Sequence, residues 1–191
     1  MKANVPARTK RDEILEVASR QFYAHGYNQA GIQQIIKEAG TAKGTFYTHF
    51  PSKEALGVAW LKARHQTWNR WLKQDIDQAE TPREKILATF GFLRKWMADC
   101  QYRGCAFINT LCETPNADSP LRQEIAGHKR ELLALFRELT QAHQPDVAPA
   151  EAEQTGTVLF LLFEGALVEM QNFCEPWPAD AAEKHARVLL N

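Results

Sequence analysis

The stretch "AGTAKGTFYTHFPSKEAL", residues 39–56, sets two glycines, three threonines and four aromatic rings (counting His49) into a span whose spacing is helical. Advancing about 100° per residue from Lys43 puts Phe46 and Phe50 on one side and Gly44, Thr45 and Thr48 on the other. The rings belong in a core. The opposite face then carries small hydrogen-bonding residues, bordered by Lys43 and Tyr47 on one edge and His49 on the other. Bulky side chains hold a helix away from whatever it approaches, whereas glycine and threonine let its backbone come close. Glycine costs a helix roughly 1 kcal/mol relative to alanine, so this pattern gives up helix propensity in exchange for close approach.

The segment before it, "GIQQIIKEAG" (31–40), directs Ile32, Ile35, Ile36 and Ala39 inward and Gln33, Gln34 and Lys37 outward. It ends at Gly40, which takes a left-handed cap without steric penalty. A short helix following a turn of three or four residues is the geometry of a helix-turn-helix, whose second helix enters the DNA major groove. A plain connector would explain the composition of the second helix alone. The preceding helix, the Gly40 turn, the basic flank and Lys53 favour the DNA reading over residues 31–50.

Outward from this motif every periodic segment is helical, and the fold class is all-α with about nine helices. A first helix starts at about Thr9, capped with Asp12, and places Ile14, Leu15, Ala18 and Phe22 on one face before Gly26. Ser52 caps a long fourth helix, and "TPRE" at 81–84 opens a fifth with Thr81 as cap, Pro82 at the first position and Glu84 closing the capping box. Breaks at "YRG" (102–104), "TPNADSP" (114–120), "HQPDVAP" (143–149) and "CEPWP" (174–178) divide the remainder, with Asp118 or Ser119 opening another helix before Pro120.

The chain has 191 residues, 45% of them hydrophobic, enough for a packed core. Its net charge is zero, yet residues 1–53 hold eight Lys/Arg against four Asp/Glu, and residues 54–191 hold fifteen against nineteen. A basic head on an acidic body fits a polyanionic partner for the head. The N-terminus has no apolar signal core, and the longest apolar run, "VLFLLF" (158–163), falls far short of the roughly 20 residues that span a bilayer. A cytoplasmic protein with no membrane partner is expected. Cys100, Cys105, Cys112 and Cys174 show no metal-ligand spacing and should be reduced thiols, with no metal and no cofactor. The six histidines are scattered, without a paired H-x-x-x-H, a phosphate loop or a nucleophile elbow, so no enzyme is expected.

The stretch "GIQQIIKEAGTAKGTFYTHFPSKEAL" resembles the DNA-binding signature of the tetracycline-repressor (TetR) family, over roughly residues 8–68 and in overall length. The resemblance implies a dimer of all-helical subunits. Residues 8–68 would bind a double-stranded DNA operator, residues 69–191 would hold a small-molecule effector, and the last two helices would build the homodimer. It implies a ligand-responsive transcriptional regulator, a repressor released from a palindromic operator; a helical ligand-binding or adaptor module without DNA binding is the alternative. Carried over by position, Lys43, Gly44 and Thr45 face bases or adjacent phosphates, Tyr47 and His49 contact the backbone, and Lys53 clamps a phosphate. Gln33, Thr41 and Thr48 complete the DNA-binding set. Lysine donates to guanine, a threonine methyl packs on thymine, and a phenol or an ammonium suits a phosphate. The chain departs from the family at Ala30-Gly31, where Thr or Ser is usual, and at Thr41-Ala42, where the family has Val-Ser; Thr41 is expected to take over a lost cap or phosphate contact.

The rest of the chain is less specific. Trp96, Phe107 and Phe163, among other rings, are candidates for lining an effector cavity. "RGCAFINTLCE" (103–113) resembles the Gly-Cys motif of the branch that includes the repressor of N-ethylmaleimide reductase, some of whose members sense electrophiles through that cysteine. Cys105 is therefore the sensing candidate, at a helix start with Arg103 two residues before it; a buried, inert thiol is the alternative. The other three thiols are expected in the core. "TGTVLFLLFEGALVEMQ" (155–171), apolar nearly all round with Gly165-Ala166 inside it, is the expected dimer helix.

Overall fold

Hydroxyl groups set where four of the helices begin. A computed structural model of the chain describes residues 8–191. The hydroxyl of Thr9 accepts the Asp12 N–H at 3.2 Å while the Asp12 carboxylate accepts the Thr9 N–H at 3.2 Å. Thr81 and Glu84 repeat this reciprocal box at 3.2 and 3.0 Å, with Pro82 following. Ser52 Oγ accepts the Ala55 N–H at 3.0 Å, and Ser119 Oγ that of Leu121 at 3.2 Å. The resulting helices are α1 (Lys10–His25), α2 (Ile32–Glu38), α3 (Lys43–His49), α4 (Lys53–Ile76), α5 (Pro82–Asp99), α6 (Ala106–Cys112), α7 (Pro120–His143), α8 (Pro149–Phe173) and α9 (Trp177–Leu189). Among the described residues there is no strand, and no helix is long and apolar enough to cross a membrane.

The chain divides into two units. The first takes the described residues through Arg64 and also Ala106–Ile125, so α6 and the first turns of α7 join the head, although they lie within the stretch expected to hold the effector. Its core is built from Ile14, Val17, Ala18, Phe22, Ile35, Phe46, Leu56 and Trp60, all buried. Phe22 packs its ring 5.2 Å from those of both Tyr27 and Trp60. Two expected inward positions differ: Leu15 and Ile32 are only half-buried, and Val17 takes the interior place on α1 because it lies three residues from Ile14 on the same face.

The second unit, residues 65–105 and 126–191, is centred on rings. Trp68 stands edge-on to Phe92, Trp96 and His128 at centroid distances of 5.4, 5.8 and 5.1 Å. Phe163 is fully buried and lies 5.7 Å from Phe136. Charged side chains tie the helices at their margins: Arg94 reaches Asp180 at 3.1 Å and Glu183 at 2.7 Å, and Lys129 meets both oxygens of Glu164 at 2.7 Å. The turn 100–104 was legible as a break, but its backbone was not. Gln101 and Tyr102, neither of them glycine, have φ of +52° and +56° and are held there by N–H bonds to Ala98 and Met97 carbonyls at 3.0 and 2.7 Å.

His128 is 3% exposed and shares a hydrogen bond of 3.0 Å with His65, whose other nitrogen lies 3.1 Å from Glu131. Burial foremost, then Lys129 and His65, push the His128 imidazole down to about 3. A histidine that binds its proton more weakly when folded gains that proton on unfolding, so its contribution to stability is whole above the ordinary value of 6.5 and is lost as pH falls below it. Thermal unfolding followed between pH 7 and 5, before the carboxylates titrate, should show stability falling by up to about 1.4 kcal/mol per pH unit. His128→Leu should flatten that slope.

Candidate nucleic-acid interface

The junction between α2 and α3 is fixed by backbone bonds. The Gly40 N–H donates to the Lys37 carbonyl and the Thr41 N–H to that of Ile36, both at 3.2 Å. With Gly40 at φ +55° this is a Schellman ending, which reverses the chain without a side-chain cost. Thr41 therefore contributes through its N–H. The expectation that its side chain replaces a missing cap is corrected: α3 has Ala42 as its N-cap and α2 has Gly31, and neither helix has a side-chain cap bond.

On α3 the two faces separate cleanly. Phe46 and Phe50 are 0% and 2% exposed, while Lys43, Gly44, Thr45, Tyr47 and Thr48 are exposed and His49 is half-buried. Thr48 spends its hydroxyl on the Gly44 carbonyl at 3.1 Å, and the Tyr47 ring lies edge-on to Phe46 at 5.2 Å. A Cβ added at Gly44 would meet nothing within 4 Å, so no internal packing requires a glycine there. On α2, Gln33 is exposed, whereas its neighbour Gln34 is engaged with Glu38 at 3.0 Å and with Gln21. Lys53 is half-buried: its ammonium donates to the Asn28 carbonyl at 3.0 Å and sits 4.9 Å from the centre of the Tyr27 ring. Burial lowers its pKa, and the nearby Glu113 charge opposes that shift.

The expected effector residues are all buried, but they do not form one group. Trp96 and Phe163 flank Trp68 in the second unit, at 5.8 and 6.5 Å, whereas Phe107 lies on α6 in the first. Trp68 and His128 were not foreseen as parts of this aromatic set, since each sits on a helix whose pattern is ordinary. Cys105 is 3% exposed, immediately before α6. A cation against its sulfur is Lys129, at 3.8 Å. Nothing in the local sequence links residue 129 to residue 105. The expectation that the remaining thiols are core is also corrected, because Cys112 and Cys174 are exposed and Cys100 is half-buried.

A short helix docked by its rings, with an outward face of small and basic residues behind a Schellman turn, defines a helix-turn-helix DNA-binding protein of the transcription-regulator class. The comparisons with known proteins agree. Residues 14–59 match the model of the bacterial regulatory proteins of the tetR family. The regulator LmrA of Bacillus subtilis is 28% identical over 165 residues, covering 83% of this chain and 84% of its own. The repressor NemR of Escherichia coli is 23% identical over 185 residues, covering 94% and 93%. In fold, the chain superposes on the TetR-family regulator SCO4454 of Streptomyces coelicolor with a TM-score of 0.84 at 23% identity, over 95% and 94% of the two chains. Reduced E. coli NemR gives 0.78 at 22% identity, over 95% and 97%. Residues 14–59 thus carry the DNA-binding domain of the tetR family of bacterial regulatory proteins, and the chain as a whole has the fold of the TetR-family regulators it resembles.

Proposed function

We propose that this protein is a homodimeric repressor, acting in the cytoplasm, that is released from a palindromic operator by a small apolar or electrophilic effector. The observation that carries the reading is the outer face of α3. Lys43, Thr45 and Tyr47 are exposed, and Gly44 is a glycine that no internal contact demands. In this reading residues 8–68 form the DNA-binding region. Gln33, Thr41, Lys43, Gly44, Thr45, Tyr47, Thr48, His49 and Lys53 supply its contacts, and residues 69–191 bind the effector and the second subunit. The relatives are named as regulators and repressors, which supports a regulator rather than an enzyme.

The dimer is supported by an exposed apolar stripe on α8. Val158, Leu161, Gly165 and Val168 follow at intervals of three and four residues, and Leu161 is 59% exposed. On α9, Val188 is 66% exposed. A Cβ at Gly165 would meet nothing within 4 Å, leaving room for a partner helix to cross closely. For the effector, the electrophile reading is supported by the place of Cys105 immediately before α6, with the Lys129 ammonium 3.8 Å from its sulfur.

Against the duplex that the protein enriches from a random-sequence pool, Lys43→Ala and Tyr47→Phe should each weaken binding by about 1–3 kcal/mol, as for loss of a base or charge-assisted contact. Neither should change the melting temperature by much, and wild-type affinity should fall steeply with salt as phosphate contacts release counterions. Unchanged mobility shifts for both variants, or a flat salt response, would overturn the DNA face. The enriched site should be an inverted repeat with half-sites centred about 10 base pairs apart or slightly more. Gly165→Trp should sediment as a monomer and lose that site; a wild-type monomer would rule the mechanism out. Cys105→Ser should keep operator binding while losing electrophile-driven release. Release that survives the serine substitution would return the sensing role to the aromatic helices.

A further inference from the structure

Glu113, the first residue after α6, reaches back across 85 positions of sequence to the loop between α1 and α2. Its Oε2 accepts the Asn28 N–H at 2.5 Å, and its own carbonyl accepts the Asn28 side-chain amide at 2.9 Å. The Asn28 carbonyl in turn accepts the Lys53 ammonium at 3.0 Å. The loop is shaped around this carboxylate. Gly26 has φ of +95°, which strains any other residue, and a Cβ there would lie 2.7 Å from Glu113 Oε1, so the carboxylate would have to shift. Between them Tyr27 is 9% exposed and presents its ring to Lys53. These residues all belong to the first unit.

We propose that Glu113 is a positioning residue for operator binding: by holding Asn28 at two points it fixes the carbonyl on which Lys53 is pinned, and so presents the Lys53 ammonium to a DNA phosphate. The inference rests on the reading of Lys53 as a phosphate contact. An ammonium has three N–H donors, and the Asn28 carbonyl takes one of those of Lys53. No other hydrogen-bond acceptor or ion-pair partner engages it among the described residues, so the remaining donors are available to a phosphate. A lysine held between a carbonyl and a ring has already lost the rotamer freedom that a solvated one must give up on binding. Glu113 does this through Asn28 and not through an ion pair with Lys53, although its charge lies near enough to favour the protonated ammonium. Nothing in the local sequence around Lys53 announces this, because the residue that sets it lies three helices further along the chain, beyond α4, α5 and α6.

The test uses the full-length protein and the duplex it enriches from a random pool, with Kd measured over a range of salt. Lys53→Ala should weaken binding about tenfold and lower the log–log salt slope by about one, as for one lost phosphate contact. Glu113→Ala should produce the same loss and the same drop in slope. The double variant should be no weaker than Lys53→Ala alone. Glu113→Gln keeps an acceptor for the Asn28 N–H and should stay within about threefold of wild type, a rescue consistent with a hydrogen-bonding role. Wild-type affinity in Glu113→Ala beside a weakened Lys53→Ala would overturn the inference while leaving the phosphate contact standing. A Glu113→Ala loss that adds to that of Lys53→Ala, with an unchanged slope, would overturn it as well, since the carboxylate would then act on the fold at large. An unaffected Lys53→Ala would overturn both the phosphate contact and the inference built on it.

Discussion

A seven-residue helix is too short to persist on its own hydrogen bonds, because nucleation costs more than so few bonds return. Helix α3 is of that length, and it exists because Phe46 and Phe50 are driven out of water into the first unit. Full burial of one phenylalanine is worth roughly 1.5–3 kcal/mol, which is ample for two turns once the Gly40 ending has fixed where the helix points. Two rings therefore carry the cohesion of the motif, and the other face carries no internal duty. Were either ring to leave the core, the helix would be lost before any change in its DNA-facing residues mattered.

The cations of the protein are handled in two ways. In the first unit Arg11 lies over Phe50 at 5.1 Å, Lys53 over Tyr27 at 4.9 Å and Arg64 over Tyr23 at 4.4 Å, alongside surface ion pairs such as Arg20 with Glu16. An aromatic face orients a cation and leaves its charge in place. In the second unit Arg94, Lys129 and Arg137 are matched with Asp180, Glu183, Glu164 and Glu153. A carboxylate orients a cation and cancels it.

Much of the fold was legible because its signals are local. The boxes at Thr9 and Thr81, the caps at Ser52 and Ser119, the turn at Gly40 and the inward pair Phe46 and Phe50 are each written within four or five residues. The exposed face of α3 followed from the same short range. What escaped was set by contacts across the chain. Residues 106–125 join the first unit through partners such as Asn28 and Glu54, which lie 85 and 65 positions away. Lys129 stands beside Cys105 although 24 residues separate them. The left-handed turn at Gln101 and Tyr102 was hidden because neither residue type advertises that conformation. The thiols misled for a plainer reason: Cys112 and Cys174 lie next to apolar positions in sequence but face solvent.

The outer face of α3 has an implication for how such a protein diverges. Lys43, Thr45 and Tyr47 project from a helix whose attachment depends on other residues, and no partner elsewhere in the first unit has to change with them. If these residues meet the operator as proposed, mutations at them are filtered by the DNA, whereas a change at Phe46 is filtered by the fold. A duplicated copy could drift to a new DNA address through a handful of substitutions, each passing through a folded intermediate. The same separation makes the face a natural place to redesign the protein, leaving the second unit as it is.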